Sequence, residues 1–527
     1  VVFLGDQVKD EWYQHALFQE LSSAPVTMTA TKMADLVGCF KDYCTQCADA
    51  TSAYTQSKLQ GTETWIALPE DQWDPSWKKR KMKNPVVKLR LALYGHPDAG
   101  GFWERHCDKH LRSVGFEPAG ENWPSCYRHK GLGMFLTVYV DDFKMSGPEK
   151  NMAKAWKLIR EKGPSGEKGI LMDEPEALEN AGSFLGCKIR PFTAEIKADS
   201  HLVPGTCADD RYVNPNRQAK INKARKEAIE EGKGELDDAA IAEARTPEHM
   251  KAFKAPDLIG GKKVPKTSYK VRGVEYDMSE FFEQCVDVYL AIAEANGVST
   301  TLRDAATPFI DETKSERDED LARIKATRMQ DKNRSAEKGV KSPKNNKTSA
   351  PTKNAQNKPG VSFVGTDGTE YPCGVLAKDA SKILMKILYG ARLARYDLLR
   401  PVTALAQCVS KWTPTCDKKL HRLMCYIKST GNLRMVGWVS QEDTPDNMEM
   451  WVYSDADWAS DIESMKSTSG CFCRVTGPGT SFPLNGFSRK QTSVSMSSAE
   501  AEMVAANDAL RREALPDISL VKFVLGR

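Results

Sequence analysis

Gly133-Met134-Phe135-Leu136-Thr137-Val138-Tyr139-Val140-Asp141-Asp142-Phe143-Lys144-Met145 is a strand-forming, mostly apolar run that ends in two adjacent carboxylates and continues into a second short apolar segment. That order predicts a β-hairpin with Asp141 and Asp142 at its bend. An acid pair on an apolar ribbon is costly unless positive charge sits beside it, and a divalent cation flanked by phosphates is the usual source. A solvated hairpin turn, where Asp is common, is the other reading of the same residues. A further acid, Asp49, leaves the run Tyr43 to Asp49, which reads as a strand, and Tyr54 follows it. Far downstream, Trp451-Val452-Tyr453-Ser454-Asp455-Ala456-Asp457-Trp458 sets acids on a strand, and Ser497-Ser498-Ala499-Glu500-Ala501-Glu502-Met503 sets acids on a helix. Carboxylates are the ligands that hard cations select, and paired ions of that kind serve nucleotidyl transfer and phosphodiester hydrolysis.

The elements that must hold these residues follow from periodicity and composition. Met28, Ala34 and Leu36 give helical spacing within residues 1 to 40. Between Trp73 and Lys88 lies a Trp- and Lys-rich loop with Lys78, Lys79, Arg80, Lys81 and Lys83, either a solvated face or a phosphate-contacting patch. Leu91 to Trp103 opens a helix carrying Glu104, His106, His110 and Leu111. Residues 195 to 262 are charged and helix-prone with almost no core, as expected of a surface insertion. Val271 to Leu302 carries a helical apolar face with Phe281, Phe282, Val286, Tyr289 and Ile292. Residues 311 to 359 are Lys, Asn, Ser, Thr and Glu with three prolines, a composition that buries too little apolar surface to offset ordering entropy and predicts disorder.

At 527 residues the chain is long enough for several domains, and 40% hydrophobic with 8% aromatic content is ordinary for a globular protein. The formal charge of +4 means that any affinity for nucleic acid comes from local patches. Fourteen scattered cysteines predict reduced thiols, with Cys44 and Cys47 as the one tight pair. No apolar run approaches the roughly 20 residues of a membrane span, so no membrane partner is expected.

The ordered set Asp49…Ala53-Tyr54, Leu93-Tyr94-Gly95…Trp103, Tyr139-Val140-Asp141-Asp142 and Phe184-Leu185-Gly186-Cys187-Lys188-Ile189 resembles the reverse transcriptase of copia-type retrotransposons over about residues 1 to 190. Ser381 to Gly390, Asp397 to Pro401 and the helix ending near Gly431 resemble the connecting helices of that family. Trp451 to Trp458, Lys466 to Gly470 and Ser497 to Ala505 resemble the first half of its ribonuclease H domain. The resemblance implies an α+β protein. Its parts would be right-hand polymerase fingers and palm with an antiparallel sheet (1–190), a charged insertion and thumb-like segment (191–310), a disordered linker (311–360), a helical connection (361–440) and a truncated ribonuclease H-like α/β domain (441–527).

The same resemblance implies RNA-directed DNA polymerase activity with Mg²⁺ or Mn²⁺. Asp49, Asp141 and Asp142 take the catalytic carboxylate places, Tyr54 that of an aromatic gate against ribose, and Tyr139 adjoins the substrate. Asp98 stands where the family usually has Gln, a change that sets a carboxylate near the triphosphate. Asp455 and Glu502 fall on the metal-binding acids of the nuclease, with Asp457 and Glu500 as neighbours. The implied partners are an RNA template, a DNA primer, dNTPs and the integrase, protease and capsid parts of a polyprotein, in a cytoplasmic particle or the nucleus. The chain begins without Met and stops at Arg527, as expected of a piece of something longer; after Glu502 its acids are Asp508, Glu513 and Asp517, so the nuclease is expected to lack a ligand. The competing readings are a degenerate copy that only binds nucleic acid and an unrelated metal-dependent phosphohydrolase, which would need one acid cluster and not two.

Overall fold

In the computed structural model, residues 26–164, 166, 168–197, 268–310, 363–364, 370–371, 373–461 and 464–526 are described. The chain enters through α1 (Met28–Gly38) and β1 (Tyr43–Asp49). A small hairpin, β2 (Trp65–Ala67) with β3 (Val86–Lys88), encloses α2 (Pro75–Lys79), and α3 (Ala99–Ser113) follows. Next come β4 (Glu117–Pro118), β5 (Cys126–His129), β6 (Met134–Tyr139), β7 (Asp142–Pro148), α4 (Glu149–Arg160) and β8 (Glu176–Ala177). These strands form an antiparallel sheet in the order β4-β5-β6-β7-β1-β8.

The second half begins with β9 (Lys188–Lys197), β10 (Ser268–Asp277) and α5 (Ser279–Ala295). After the pair β11 (Phe363–Val364) and β12 (Glu370–Tyr371) come the helices α6 (Ala380–Ala394), α7 (Leu399–Ala406) and α8 (Pro414–Ser429). β13 (Met435–Ser440), β14 (Glu449–Asp461), β15 (Lys466–Thr476), β16 (Ser481–Lys490), α9 (Ser498–Ala509) and α10 (Leu515–Leu525) complete it. The second antiparallel sheet has the order β14-β15-β16-β13-β10-β9.

Strand alternation explains why the first sheet is covered on both faces. Along β6 and β7, Met134, Leu136, Val138, Phe143 and Met145 point one way and pack with Trp103 and Leu111 of α3 and Trp156 and Ile159 of α4. Lys144 and Ser146 point the other way, toward α1, and Ser146 Oγ lies 2.9 Å from Thr45 Oγ1 of β1. Thr27 caps α1, its Oγ1 accepting the Ala30 N–H at 3.2 Å. All but the first residue of α1 are buried, as in a helix enclosed on every side. It packs against β1, β6 and β7 of the first sheet and β13 and β16 of the second. Gly38 permits that closeness, because a Cβ there would overlap Thr45 Oγ1.

Several boundaries differ from the expectations. β9 runs across residue 190 and pairs throughout with β10, so a domain edge drawn at 190 cuts a strand. Val271 to Asp277 belong to that strand pair, and the predicted helix starts at Ser279. β13, expected within a helical connection, joins β10 to β16 and makes the region from Glu449 onward continuous with the sheet of β9 and β10. Side-chain periodicity names a strand but not its partner, which is why pairing between distant segments escaped the sequence. The predicted linker from 311 to 360, residues 1–25 and nearly all of the predicted insertion lie outside the described residues. α9 and α10 are joined by a π-helical turn over Leu510–Ala514, just before Pro516. A proline inside a helix lacks the donor and crowds the preceding turn, and the widened turn accommodates it.

Candidate active site

β1 and β7 run antiparallel with Asp49 directly opposite Asp142, and β6 hands the chain to β7 through Val140 and Asp141 alone. Three carboxylates therefore lie at one end of the central strands. Val140 adopts φ +58°, a left-handed conformation that a β-branched residue enters at a cost on the order of 1–3 kcal/mol. Two hydrogen bonds hold the bend in that form. Trp103 Nε1 donates to Val140 O at 2.6 Å, and the Ala50 N–H donates to Asp141 O at 2.8 Å.

The electrostatics agree with the pairing. Burial, followed by the charges of Asp141 and Asp49, pushes the Asp142 carboxyl up to about 6 against the opposing pull of Lys144. Burial, then Asp141 and Asp173, also raises Asp49. Asp173 is a fourth acid that sequence reasoning missed. Its N–H donates to Asp49 O at 2.9 Å, and its Oδ1 accepts from Thr51 Oγ1 at 3.3 Å. No pattern around Asp173 marks it, since a tertiary bridge and not a strand period brings it to β1. Among the described residues, no group of three or more His, Cys, Asp or Glu side chains is gathered closely enough to hold a metal ion. Bare like charges repel, so these carboxylates share a strand end and a field without converging on one point.

Tyr54 follows β1, and its ring packs on that of Tyr94 with centroids 4.5 Å apart. It lines a cleft with Trp103, Tyr127, Val138 and Val140. Burial, then Asp141, raises the Tyr54 phenol, which sets that ring beside the acids. Tyr139 lies opposite Asp142 and shares its face of the sheet. Asp98 precedes α3, where its N–H donates to His96 Nδ1 at 3.1 Å and its charge acts on His96. Beneath the acids, Lys144 Nζ donates to both oxygens of Asp35 at 2.9 and 3.1 Å, with both residues almost wholly buried. Tyr276 OH of β10 donates to Asp35 Oδ2 at 2.9 Å, and Lys32 Nζ of α1 donates to Tyr396 OH at 2.7 Å.

The downstream acids are arranged differently. Asp455 pairs with Gly470 and lies two residues from both Tyr453 and Asp457, so these three share one face of β14. Arg400 of α7 donates to Asp457 Oδ2 at 2.9 Å on that face. Met450 and Val452, with Cys471 and Cys473 of β15, take the opposite face and pack on Ala509 of α9. Gln491 Nε2 donates to Ala501 O at 2.9 Å and fixes the helix start there. Glu502, exposed on α9, and Asp455 are thus on opposite sides of the sheet. Glu500 helps build the start of α9: its N–H donates to Ser497 Oγ at 3.1 Å, and its Oε2 accepts the Met496 N–H at 2.7 Å.

No protein-family description matches the chain, and no solved structure matches it. Among curated proteins it is similar to a secreted RxLR effector protein, number 161, of Plasmopara viticola, 34% identical over an alignment of 133 positions that covers 23% of this chain and 80% of that protein. No helix among the described residues is long and apolar enough to cross a membrane.

Proposed function

For a chain that belongs, over 23% of its length, to the same family as secreted RxLR effector protein 161 of Plasmopara viticola, we propose RNA-directed DNA polymerase activity. The name of that relative states secretion and an effector role and no chemistry. The reading rests on the chain's own site, and one observation carries it: Asp49 and Asp142 face each other across β1 and β7 with Asp141 at the adjoining bend.

Uncompensated carboxylates that raise one another's proton affinity are a donor set suited to hard cations. Asp49, Asp141 and Asp142 would hold Mg²⁺ or Mn²⁺ only once drawn together around it, and an ion bound there would activate a primer 3′-hydroxyl and neutralise the departing pyrophosphate. Lys144, tied to Asp35, anchors β7 from below and limits how far Asp142 is raised. Trp103 and Ala50 keep the bend from relaxing, so the acids are presented on rigid backbone. Tyr54, beside Asp141 at the cleft, is positioned to pack against an incoming sugar, where its ring would leave no space for a 2′-hydroxyl. An RNA template, a DNA primer and dNTPs are the partners this reading implies. The nuclease assignment is weaker, because Asp455 and Glu502 do not share a side of the second sheet.

The test is primer extension on an RNA template with Mg²⁺ or Mn²⁺. Asp141→Asn keeps the size of the side chain and removes its charge, so extension should fall by about two orders of magnitude or more while the circular dichroism spectrum is unchanged. Equal extension by parent and variant would end the assignment. Absence of extension in both, with retained nucleic-acid binding, would favour the degenerate copy.

A further inference from the structure

The loop after α5 and one face of α8 line an open cavity of about 420 Å³ that the polymerase reading does not use. Its wall includes Ser299, Thr301, Arg303, Lys418, His421 and Arg422, and no carboxylate is among its described lining residues. Lys418, His421 and Arg422 recur at three- and four-residue spacing and so share one face of the helix.

Two of these side chains are held in place. Arg422 donates from Nε to Thr307 O at 2.9 Å and from Nη2 to Thr307 Oγ1 at 3.3 Å, which fixes its guanidinium plane against the loop. His421 Nδ1 lies 2.8 Å from the hydroxyl of Tyr289, a fully buried residue of α5. That hydrogen bond ties the imidazole to α5, with either atom able to donate. Nε2, the ring's other nitrogen, takes no part in that bond. Guanidinium groups, hydroxyls and imidazole nitrogens are groups that bind tetrahedral oxyanions, and the volume lies in the ordinary range for small-ligand pockets.

We infer that this cavity binds a phosphoryl group, presented either as free phosphate or as part of a polynucleotide backbone. The test uses the full chain with ¹⁵N-labelled histidine, without dNTPs, so its outcome is independent of polymerase activity. Inorganic phosphate and a short single-stranded deoxyoligonucleotide lacking a 5′-phosphate are titrated separately, and the His421 ring signal is identified by its loss in His421→Gln. At least one of the two should move that signal. Arg303→Ala, an exposed position where folding is expected to survive, should weaken the responding ligand about tenfold or more. Arg303→Lys, which keeps the charge but not the fork, should fall between. A response to phosphate assigns free phosphate, and a response to the oligonucleotide alone assigns the backbone. A still His421 signal with both, or parent affinity in Arg303→Ala, would overturn the inference.

Discussion

Asp142 is the residue at which the site's electrostatics become measurable. Its folded-state value of about 6 lies above the ordinary 3.8, so the stability gained from holding its proton is fully present below about pH 3.8 and is lost as pH rises through 6. Above that range the ionised carboxylate sits beside Asp49 and Asp141 and weakens the fold. A bound divalent cation would reverse the penalty. Mg²⁺ should therefore raise the melting temperature at pH 7.5 and not at pH 5, by about 1 °C for each kcal/mol of binding. Asp142→Asn should melt higher than the parent at pH 7.5 without metal and lose the Mg²⁺ response. Differential scanning fluorimetry at the two pH values checks this, and equal Mg²⁺ shifts at both would count against a role for Asp142. The Asp141-Asp142 pair was legible in the chain because two acids interrupt an apolar run. Asp173 was not, because its approach to Asp49 depends on a loop returning past β1.

Among elements, β14 and α9 show how far a motif's order can stand from its geometry. Three strands and a helix follow one another as expected. Strand alternation nevertheless turns Asp455 toward the side where Arg400 meets Asp457, while α9 packs on Met450 and Val452. Residues two apart on a strand share a face and neighbours do not, so the face was in principle readable; which face the helix would cover was not. Asp455→Asn should change primer extension by less than about twofold and stability by less than about 0.5 kcal/mol, as for an exposed position. Extension assays and urea denaturation of the variant measure both. A substantial loss of extension would mean that Asp455 reaches the polymerase chemistry.

The two sheets are joined through α1. Lys144 of β7, Asp35 of α1 and Tyr276 of β10 form one buried network, and Lys32 links α1 to Tyr396. Burial lowers Lys32 to about 7, so this lysine's charge is only partly retained near neutral pH. Removing one partner from a buried pair leaves an uncompensated charge, which typically costs about 3–5 kcal/mol. Lys144→Met should destabilise the protein by that order, and adding Asp35→Asn should restore a substantial part. Because the network touches both sheets, unfolding followed at Trp103 and at Trp438 should shift together. Separate transitions, with only the first sheet weakened, would show that α1 does not couple them.

Local pattern in this chain determined the hairpin of Asp141 and Asp142, the strand Tyr43–Asp49, the helix after Asp98 and the succession of strands before α9. Each is written in residue types within a short window, where backbone geometry converts spacing directly into a face or a bend. Tertiary structure alone decided that β9 and β10 share a sheet with β13 to β16, that α1 is enclosed between two sheets, and that Asp455 and Glu502 lie apart. Those outcomes depend on which apolar face covers which. Strands tens to hundreds of residues apart offer similar faces, and only the packing of the whole chain selects among them.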